Sequence, residues 1–126
     1  MAITHHDDPL IDDVLAKVRT WESLDFARIA DDFTQDGVLH SMMGTPIKGR
    51  ANILKIISRH FGDATGLEMN VLAAARAGDL VFLERVDSLY FGDKRAVVPI
   101  IGVVEMRGGK VAAWREYYDL QQAMPQ

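Results

Sequence analysis

The chain of 126 residues contains no cysteine, which excludes disulfide bonds, thiolate metal sites and thiol nucleophiles. It also lacks a run of about 18 apolar residues, the length that a membrane-spanning helix needs. No basic cluster is present, and a net charge of -4 argues against a nucleic-acid groove. Residues 1–8 lack the cationic and apolar regions of a signal peptide, so a cytoplasmic location is the default expectation.

The composition is sufficient for one folded domain. Hydrophobic residues make up 48% of the chain and charged residues 25%, as in an ordinary soluble domain. No repeat, linker or low-complexity segment divides the sequence, so residues 1–126 are predicted to form a single domain. The polar residues 1–8, which include His5 and His6, are predicted to be a flexible tail.

The first half of the chain has the apolar periodicity of helices. Asp8 and Pro9 are typical of a helix start, and apolar residues then recur at helical spacing as far as Trp21. The other elements predicted in this half are a helix over residues 24–33, a strand over 38–43 and a helix over 49–61. Gly37 is expected to end the second helix.

The second half of the chain has the pattern of strands. The predicted strands cover residues 67–76, 80–91, 95–106 and 110–120. Their short glycine-containing connections indicate an antiparallel meander. Helices followed by a meander predict an α+β fold, in which long strands with one apolar face curl around the helices and enclose an apolar pocket.

Charged residues interrupt the apolar faces of two predicted strands. Because alternate side chains of a strand share a face, Arg85 and Asp87 lie together on an apolar face. Glu116 shares its face with Trp114 and Tyr118. Charges that point inward are costly unless they are paired, so these residues are candidates for chemistry in a cavity. The alternatives are a structural ion pair for Arg85 and Asp87 and an exposed strand position for Glu116.

Two segments together resemble the limonene-1,2-epoxide hydrolases of the nuclear transport factor 2-like superfamily. They are ERVD at residues 84–87 and GKVAAWREYYDL at residues 109–120. The resemblance implies a cone-shaped fold, with a curved antiparallel sheet wrapped around the N-terminal helices. It also implies a homodimer that acts on a small lipophilic substrate without a cofactor.

The resemblance further implies a role for each charged residue. Asp87 would be the general acid that protonates the epoxide oxygen, Arg85 the bridge and Glu116 the base that activates water. The family has an aspartate at the position of Glu116, and a tyrosine and an asparagine at the positions of Leu39 and Ser41. Ser41 is thus a candidate to hold the water in the place of the asparagine, or else an ordinary strand residue.

Two other functions stay open at this point. His40 lies near the position at which ketosteroid isomerases of this fold have their catalytic base, so proton transfer of the isomerase or polyketide cyclase type is one alternative. The other reading of His40 is a core or rim residue. The second alternative is a domain that binds a small ligand without catalysis, because a fold does not determine a function.

An apolar pocket would be lined by residues that otherwise belong to the core. The candidates for contacts with the substrate are Ser41, Met42, Ile57, Met69, Leu89, Ile100, Trp114 and Tyr118. No pair of histidines has the spacing of metal ligands, so no metal site is predicted.

Overall fold

Helix α1 (Pro9–Glu22) begins at the residue that the sequence predicts. The structure is a computed structural model, and it describes residues 7–125. The Asp8 carboxylate accepts hydrogen bonds from the backbone N–H groups of Leu10 and Ile11, and Pro9 occupies the first turn. Asp8 is therefore part of the helix cap. Residues 1–6 of the predicted flexible tail lie outside the described residues.

The strands form one six-stranded sheet. The other elements are α2 (Phe26–Asp31), β1 (Phe33–Ser41), β2 (Ile47–Lys48), α3 (Arg50–Phe61), β3 (Gly66–Ala77), β4 (Leu80–Phe91), β5 (Lys94–Arg107), β6 (Lys110–Tyr117) and a 3-10 turn (Leu120–Ala123). Strands β3 to β6 form the predicted antiparallel meander, and β1 joins β6 in parallel, so the spatial order is β2-β1-β6-β5-β4-β3. The predicted α+β class, with a curved sheet around N-terminal helices, is confirmed.

The helices cover one face of this sheet, which we call the inner face. Buried residues of α1, α2 and α3 form a single core with Val81 and Leu83 of β4 and Trp114 of β6. The register places Val81 opposite Val104, and Val104 opposite Trp114, so the core extends across three strands. The outer face carries the alternate residues of the same strands. In the described part of the chain, no helix is long and apolar enough to cross a membrane.

The predicted boundary between the second helix (residues 24–33) and the first strand (residues 38–43) is wrong. Helix α2 ends at Asp31, and Phe33 begins β1, where it pairs with Val111 and is fully buried. Gly37 lies inside β1, at a register shift between Phe33 and Val38. A Cβ atom at Gly37 would lie 3.0 Å from the carbonyl oxygen of Thr34, so this irregular part of the strand favours a residue without a side chain. Tertiary pairing therefore overrides the local helical pattern.

Two further boundaries differ from the prediction. The short strand β2, which pairs with Val38 and Leu39 of β1, is too short to have a periodic pattern. Strand β6 ends at Tyr117 and not at Leu120, because Asp119 accepts a hydrogen bond from the N–H of Gln121 and begins the 3-10 turn. Leu120 consequently lies outside the sheet and is exposed.

Candidate active site

Strand β4 carries the two charged residues that the sequence predicts to point inward. Arg85 and Asp87 follow Val81 and Leu83 at alternate positions on the inner face. Arg85 is 1% exposed and Asp87 is 9% exposed, although both are ionisable. The sheet forces them into this position, because a shift of one residue would expose Val81 and Leu83.

Arg85 is the centre of a cluster of three charged side chains, the Arg85 cluster, which also contains Asp87 and Glu116. Its Nε donates to Oδ1 of Asp87 at 3.0 Å and its Nη2 donates to Oδ2 at 2.8 Å, so the contact is bidentate. The same Nη2 donates to Oε1 of Glu116 at 2.7 Å. Two carboxylates from different strands thus share one nitrogen of one guanidinium group.

The Glu116 carboxylate has one occupied and one free oxygen. Oε1 accepts hydrogen bonds from Arg85 and, at 2.9 Å, from the indole N–H of Trp114. Within residues 7–125, Oε2 of Glu116 and Nη1 of Arg85 are the two buried side-chain atoms that lack a hydrogen-bond partner. The Glu116 side chain retains 17% exposure and that of Asp87 12%. The cluster therefore has a free acceptor and a free donor, and both of these atoms are buried.

Gly102 on β5 makes room for the cluster, a role that was not predicted from the sequence. Its register partners are Leu83 on β4 and Glu116 on β6. A Cβ atom at this position would lie 2.5 Å from Nη1 of Arg85 and 3.2 Å from Oε2 of Glu116. The two free atoms of the cluster thus flank the space above Gly102. A glycine inside an apolar strand was the available signal, because it often marks a close approach.

Burial and neighbouring charges shift the pKa values of two members of the cluster. Burial raises the pKa of the Glu116 carboxyl, the Arg85 guanidinium opposes this, and the charge of Asp87 adds to it, so the net shift is upward. Burial alone would lower the pKa of Arg85, but the carboxylates of Glu116 and Asp87 outweigh it and raise that pKa further. Arg85 therefore stays cationic, whereas Glu116 is a stronger base than an exposed glutamate.

Ser41 and Tyr118 lie beside Glu116. Ser41 is the register partner of Glu116 in the parallel pair of β1 and β6, so the two side chains share the inner face. The hydroxyl oxygens of Ser41 and Tyr118 are 2.7 Å apart and form a hydrogen bond between half-buried side chains. Both residues were predicted to contact the substrate.

The structure does not bring His40 to the Arg85 cluster. Its register partner is Arg115, so it lies on the outer face, opposite to Ser41 and Glu116. Its Nε2 atom is 3.0 Å from the carbonyl oxygen of Gly44. The predicted catalytic role of His40 at a shared site is therefore not supported, because adjacent residues of a strand point to opposite faces.

The predicted pocket-lining residues fall into two groups. Ile57, Met69 and Trp114 are buried in the core. Ser41, Met42, Leu89, Ile100 and Tyr118 are partly accessible. Ile100 is the register partner of Arg85, and Leu89 follows Asp87 by two residues, so both are inner-face neighbours of the cluster. Among the described residues, no three histidine, aspartate or glutamate side chains converge as a metal site would require.

The architecture is that of the nuclear transport factor 2-like proteins. A protein described as a SnoaL-like polyketide cyclase from Shewanella denitrificans OS-217 superposes with a TM-score of 0.81 at 14% identity. That superposition covers 91% of this chain and 94% of the other, and at this identity it shows the fold alone.

Sequence similarity defines the family within this fold. Residues 11–126 match the limonene-1,2-epoxide hydrolase catalytic domain, and the chain belongs to that family. An LEH-like epoxide hydrolase of Mycobacterium tuberculosis has a TM-score of 0.80 and 25% identity, over 90% of this chain and 85% of that one. The epoxide hydrolase EphG of M. tuberculosis (strain ATCC 25618 / H37Rv) is 29% identical over 94 residues, which are 75% of this chain. The aligned part spans 60% of the length of EphG.

Proposed function

We propose that this protein is a cofactor-independent epoxide hydrolase that adds water to a small lipophilic epoxide in one step. Glu116 is the base, Asp87 the acid and Arg85 the bridge between them. The observation that supports this most directly is that Oε2 of Glu116 has no hydrogen-bond partner. The other oxygen of this carboxylate binds Arg85, which also binds Asp87. Family membership and the similarity to two epoxide hydrolases point to the same reaction.

The proposed reaction needs two proton transfers and no covalent intermediate. Oε2 of Glu116 accepts a proton from water while the water oxygen forms a bond to an epoxide carbon. The carbon–oxygen bond of the ring breaks, and its electron pair takes the proton of the Asp87 carboxyl group, which gives the diol. A proton then passes from Glu116 to Asp87 and restores the starting state.

The charge of the cluster supports the presence of one acid and one base. Arg85 supplies one positive charge and faces two carboxyl groups, so a single shared proton makes the cluster neutral. The negative charge of Asp87 is one of the causes that raise the pKa of the Glu116 carboxyl. Concerted opening of an epoxide requires one protonated carboxyl group as the acid and one ionised carboxylate as the base.

The inner-face neighbours of the cluster support a lipophilic substrate. Leu89 and Ile100, which adjoin Asp87 and Arg85, are apolar and partly accessible. Leu39 of β1 is the register partner of Trp114 and is also partly accessible. An apolar wall with few polar groups suits a small molecule whose only polar atom is the epoxide oxygen.

Hydrolysis in oxygen-18 water tests the proposal. We expect purified protein to convert at least one epoxide of a panel of cyclic and acyclic lipophilic epoxides to a diol. The label should enter the diol in a single turnover, because water attacks directly. Asp87→Asn and Glu116→Gln should each lower kcat by about 1000-fold or more, since each removes one of two proton transfers that contribute about 100- to 10,000-fold each.

Two controls make this test decisive. Glu84→Gln changes a carboxylate on the outer face of β4 and should retain wild-type kcat. Circular dichroism should show that the Asp87→Asn and Glu116→Gln variants stay folded. Wild-type activity in both folded variants would refute the proposed roles of Asp87 and Glu116. Binding of an apolar ligand without any diol would favour the alternative of a non-catalytic domain.

A homodimer is the second part of the proposal. The outer face of the sheet exposes large apolar side chains on three neighbouring strands, namely Phe82, Val97, Ile101 and Tyr117. Ile101 and Tyr117 are register partners, so the side chains of these two residues adjoin each other. Exposed apolar patches of this kind are typical of protein interfaces, and a second copy of the chain is the partner expected from the family. The cytoplasmic location stays a prediction.

A further inference from the structure

Three aromatic side chains form a column that runs from the helices to the proposed base. The ring centroids of Phe61 on α3 and Trp21 on α1 are 6.3 Å apart, and the rings meet edge to face at 88°. The ring centroids of Trp21 and Trp114 on β6 are 6.0 Å apart, with the planes inclined by 59°. Both spacings are typical of favourable aromatic contacts. We call these three side chains the aromatic column.

The aromatic column ends at the Glu116 carboxylate. The indole N–H of Trp114 donates to Oε1 of Glu116 at 2.9 Å. Trp114 is 1% exposed, so this N–H group is shielded from solvent. Nη2 of Arg85 donates to the same oxygen at 2.7 Å. Two donors from different strands therefore hold one oxygen and limit the rotation of the carboxylate.

The hydrogen bond from the indole also acts on the charge of Glu116. An indole N–H only donates, and a donor favours the ionised form of a carboxyl group. Burial raises the pKa of the Glu116 carboxyl and the charge of Asp87 adds to this, whereas the contacts with Arg85 and the indole lower it. Arg85 and Asp87 are the charged groups that face Glu116 from β4. Its register partners on β5 and β1 are a glycine and a serine, and that serine binds the hydroxyl of Tyr118.

The rest of the aromatic column limits the movement of the Trp114 ring. Trp21 is buried in the core that the three helices share with the sheet, and Phe61 packs against this core. Leu39 and Val104, the register partners of Trp114, lie on the two neighbouring strands. Rotation of the enclosed ring would leave a buried N–H group without a partner, which is costly. The packing therefore keeps the N–H group directed at Glu116.

We propose that Trp114 and Trp21 are positioning residues for the proposed base. Trp114 holds the Glu116 carboxylate in one orientation and in its ionised form, and Trp21 acts on the carboxylate through Trp114. This inference rests on the proposed hydrolase function and adds two core residues to it. Both residues act through Glu116 and not on the substrate.

The test measures the pKa of Glu116 by NMR of carbon-13-labelled glutamate carboxyl groups, with its signal assigned by the loss in Glu116→Gln. Trp114→Phe keeps an aromatic ring and removes the N–H group. We expect this variant to raise the pKa of Glu116 by about one pH unit, because the carboxylate loses a donor. We expect kcat to fall by about 10- to 100-fold, since a misplaced base costs on this scale. Trp21→Phe should change both quantities in the same direction by less.

A double variant tests whether Trp21 acts through Trp114. Addition of Trp21→Phe to Trp114→Phe should leave the pKa of Glu116 where the single change put it, because the hydrogen bond that Trp21 supports is already absent. An additive shift would refute the role of Trp21. If Trp114→Phe does not fold, benzothienylalanine at position 114 replaces it in all comparisons, because it keeps both rings and has sulfur in place of the N–H group.

Val14→Ala is the control for lost packing. Val14 is fully buried on the same face of α1 as Trp21, about two helical turns earlier. This variant should lower the melting temperature and keep the wild-type kcat and the wild-type pKa of Glu116. A purely structural role for Trp114 would give the same result in Trp114→Phe and would refute the proposal.

The outcomes separate this inference from the function on which it rests. If the wild type forms diol and a folded Trp114→Phe variant keeps both the pKa of Glu116 and the full kcat, only the positioning role is refuted. An equal rise of this pKa in Val14→Ala would refute it as well. If the wild type forms no diol from any epoxide, the proposed function fails, and a raised pKa in Trp114→Phe still supports the effect of Trp114 on the carboxylate.

Discussion

At the scale of single residues, the Arg85 cluster combines strong pairing with two free atoms. Bidentate contact with Asp87 and a second contact with Glu116 compensate the burial of Arg85. Nη1 of Arg85 and Oε2 of Glu116 stay without a partner in the described structure. Buried polar atoms usually have a partner, so these two atoms are the candidate contacts for a substrate or water in the proposed reaction.

The raised pKa of Glu116 predicts the acidic limb of the pH profile. A base must be ionised to accept a proton, so kcat/KM falls as the pH falls through this pKa. Because burial is the largest cause of the upward shift, we expect the limb above 4.5, the ordinary value for glutamate. The measurement is kcat/KM between pH 4 and pH 9 at constant ionic strength. A profile that stays flat from neutral pH down to 4.5 would contradict Glu116 as the base.

Gly102 predicts a second effect at this scale. In Gly102→Ala the new Cβ would overlap Nη1 of Arg85, and the guanidinium cannot move without weakening its contacts to two carboxylates. We expect kcat to fall by about 100-fold and the free energy of unfolding to fall by about 1–3 kcal/mol. Steady-state kinetics and urea unfolding measure the two effects.

Gly44→Ala is the control for this change. A Cβ atom at Gly44 would meet its nearest neighbour at 4.0 Å, so the added methyl group has room. Activity and stability should stay close to those of the wild type. A fully active Gly102→Ala variant would show that the cluster does not need the space above this glycine.

At the scale of elements, the pairing of β1 determines which of its side chains lie on the same face as Glu116. Its parallel pairing with β6 places Ser41 beside Glu116 and turns His40 to the other face. Phe33 anchors the start of the strand in the core, and its carbonyl oxygen accepts hydrogen bonds from the Arg50 side chain of α3. The strand is thus fixed by burial at its beginning and by pairing at its end.

Phe33→Ala tests this anchor. Loss of a fully buried phenylalanine should lower the free energy of unfolding by about 3–5 kcal/mol. Leu72→Ala, at a 43% exposed position of β3, is the control and should cost about 0.5 kcal/mol or less. Chemical denaturation followed by tryptophan fluorescence measures both, because Trp21 and Trp114 lie in the same core. Equal losses in the two variants would contradict the assignment of Phe33 to the core.

At the scale of the whole molecule, the two faces of the curved sheet carry different groups of side chains. The inner face holds the core, the Arg85 cluster and the hydrogen-bonded hydroxyl groups of Ser41 and Tyr118. The outer face exposes the four apolar side chains Phe82, Val97, Ile101 and Tyr117. The fold thus separates the proposed chemistry from the proposed subunit contact.

A charge at the centre of the outer face tests the proposed dimer. Ile101 is 43% exposed and lies beside Tyr117, so Ile101→Arg would place a cation in the apolar contact. We expect analytical ultracentrifugation to give a dimer for the wild type and a monomer for the variant, since an unpaired buried charge is costly. Leu54→Arg, on a 36% exposed position of α3, should leave the dimer intact. A monomeric wild type would refute the dimer.

Much of this protein follows from the sequence alone, because secondary structure and strand faces are set by local periodicity. The caps of α1, the four long strands and the inward direction of Arg85, Asp87 and Glu116 all follow from spacings of two or about 3.6 residues. The tertiary structure alone decided which strands meet. It placed Phe33 in a strand, put His40 on the outer face and brought Ser41 to Tyr118. It also left room at Gly102 for the guanidinium of Arg85. These features depend on contacts between distant segments, which local periodicity does not determine.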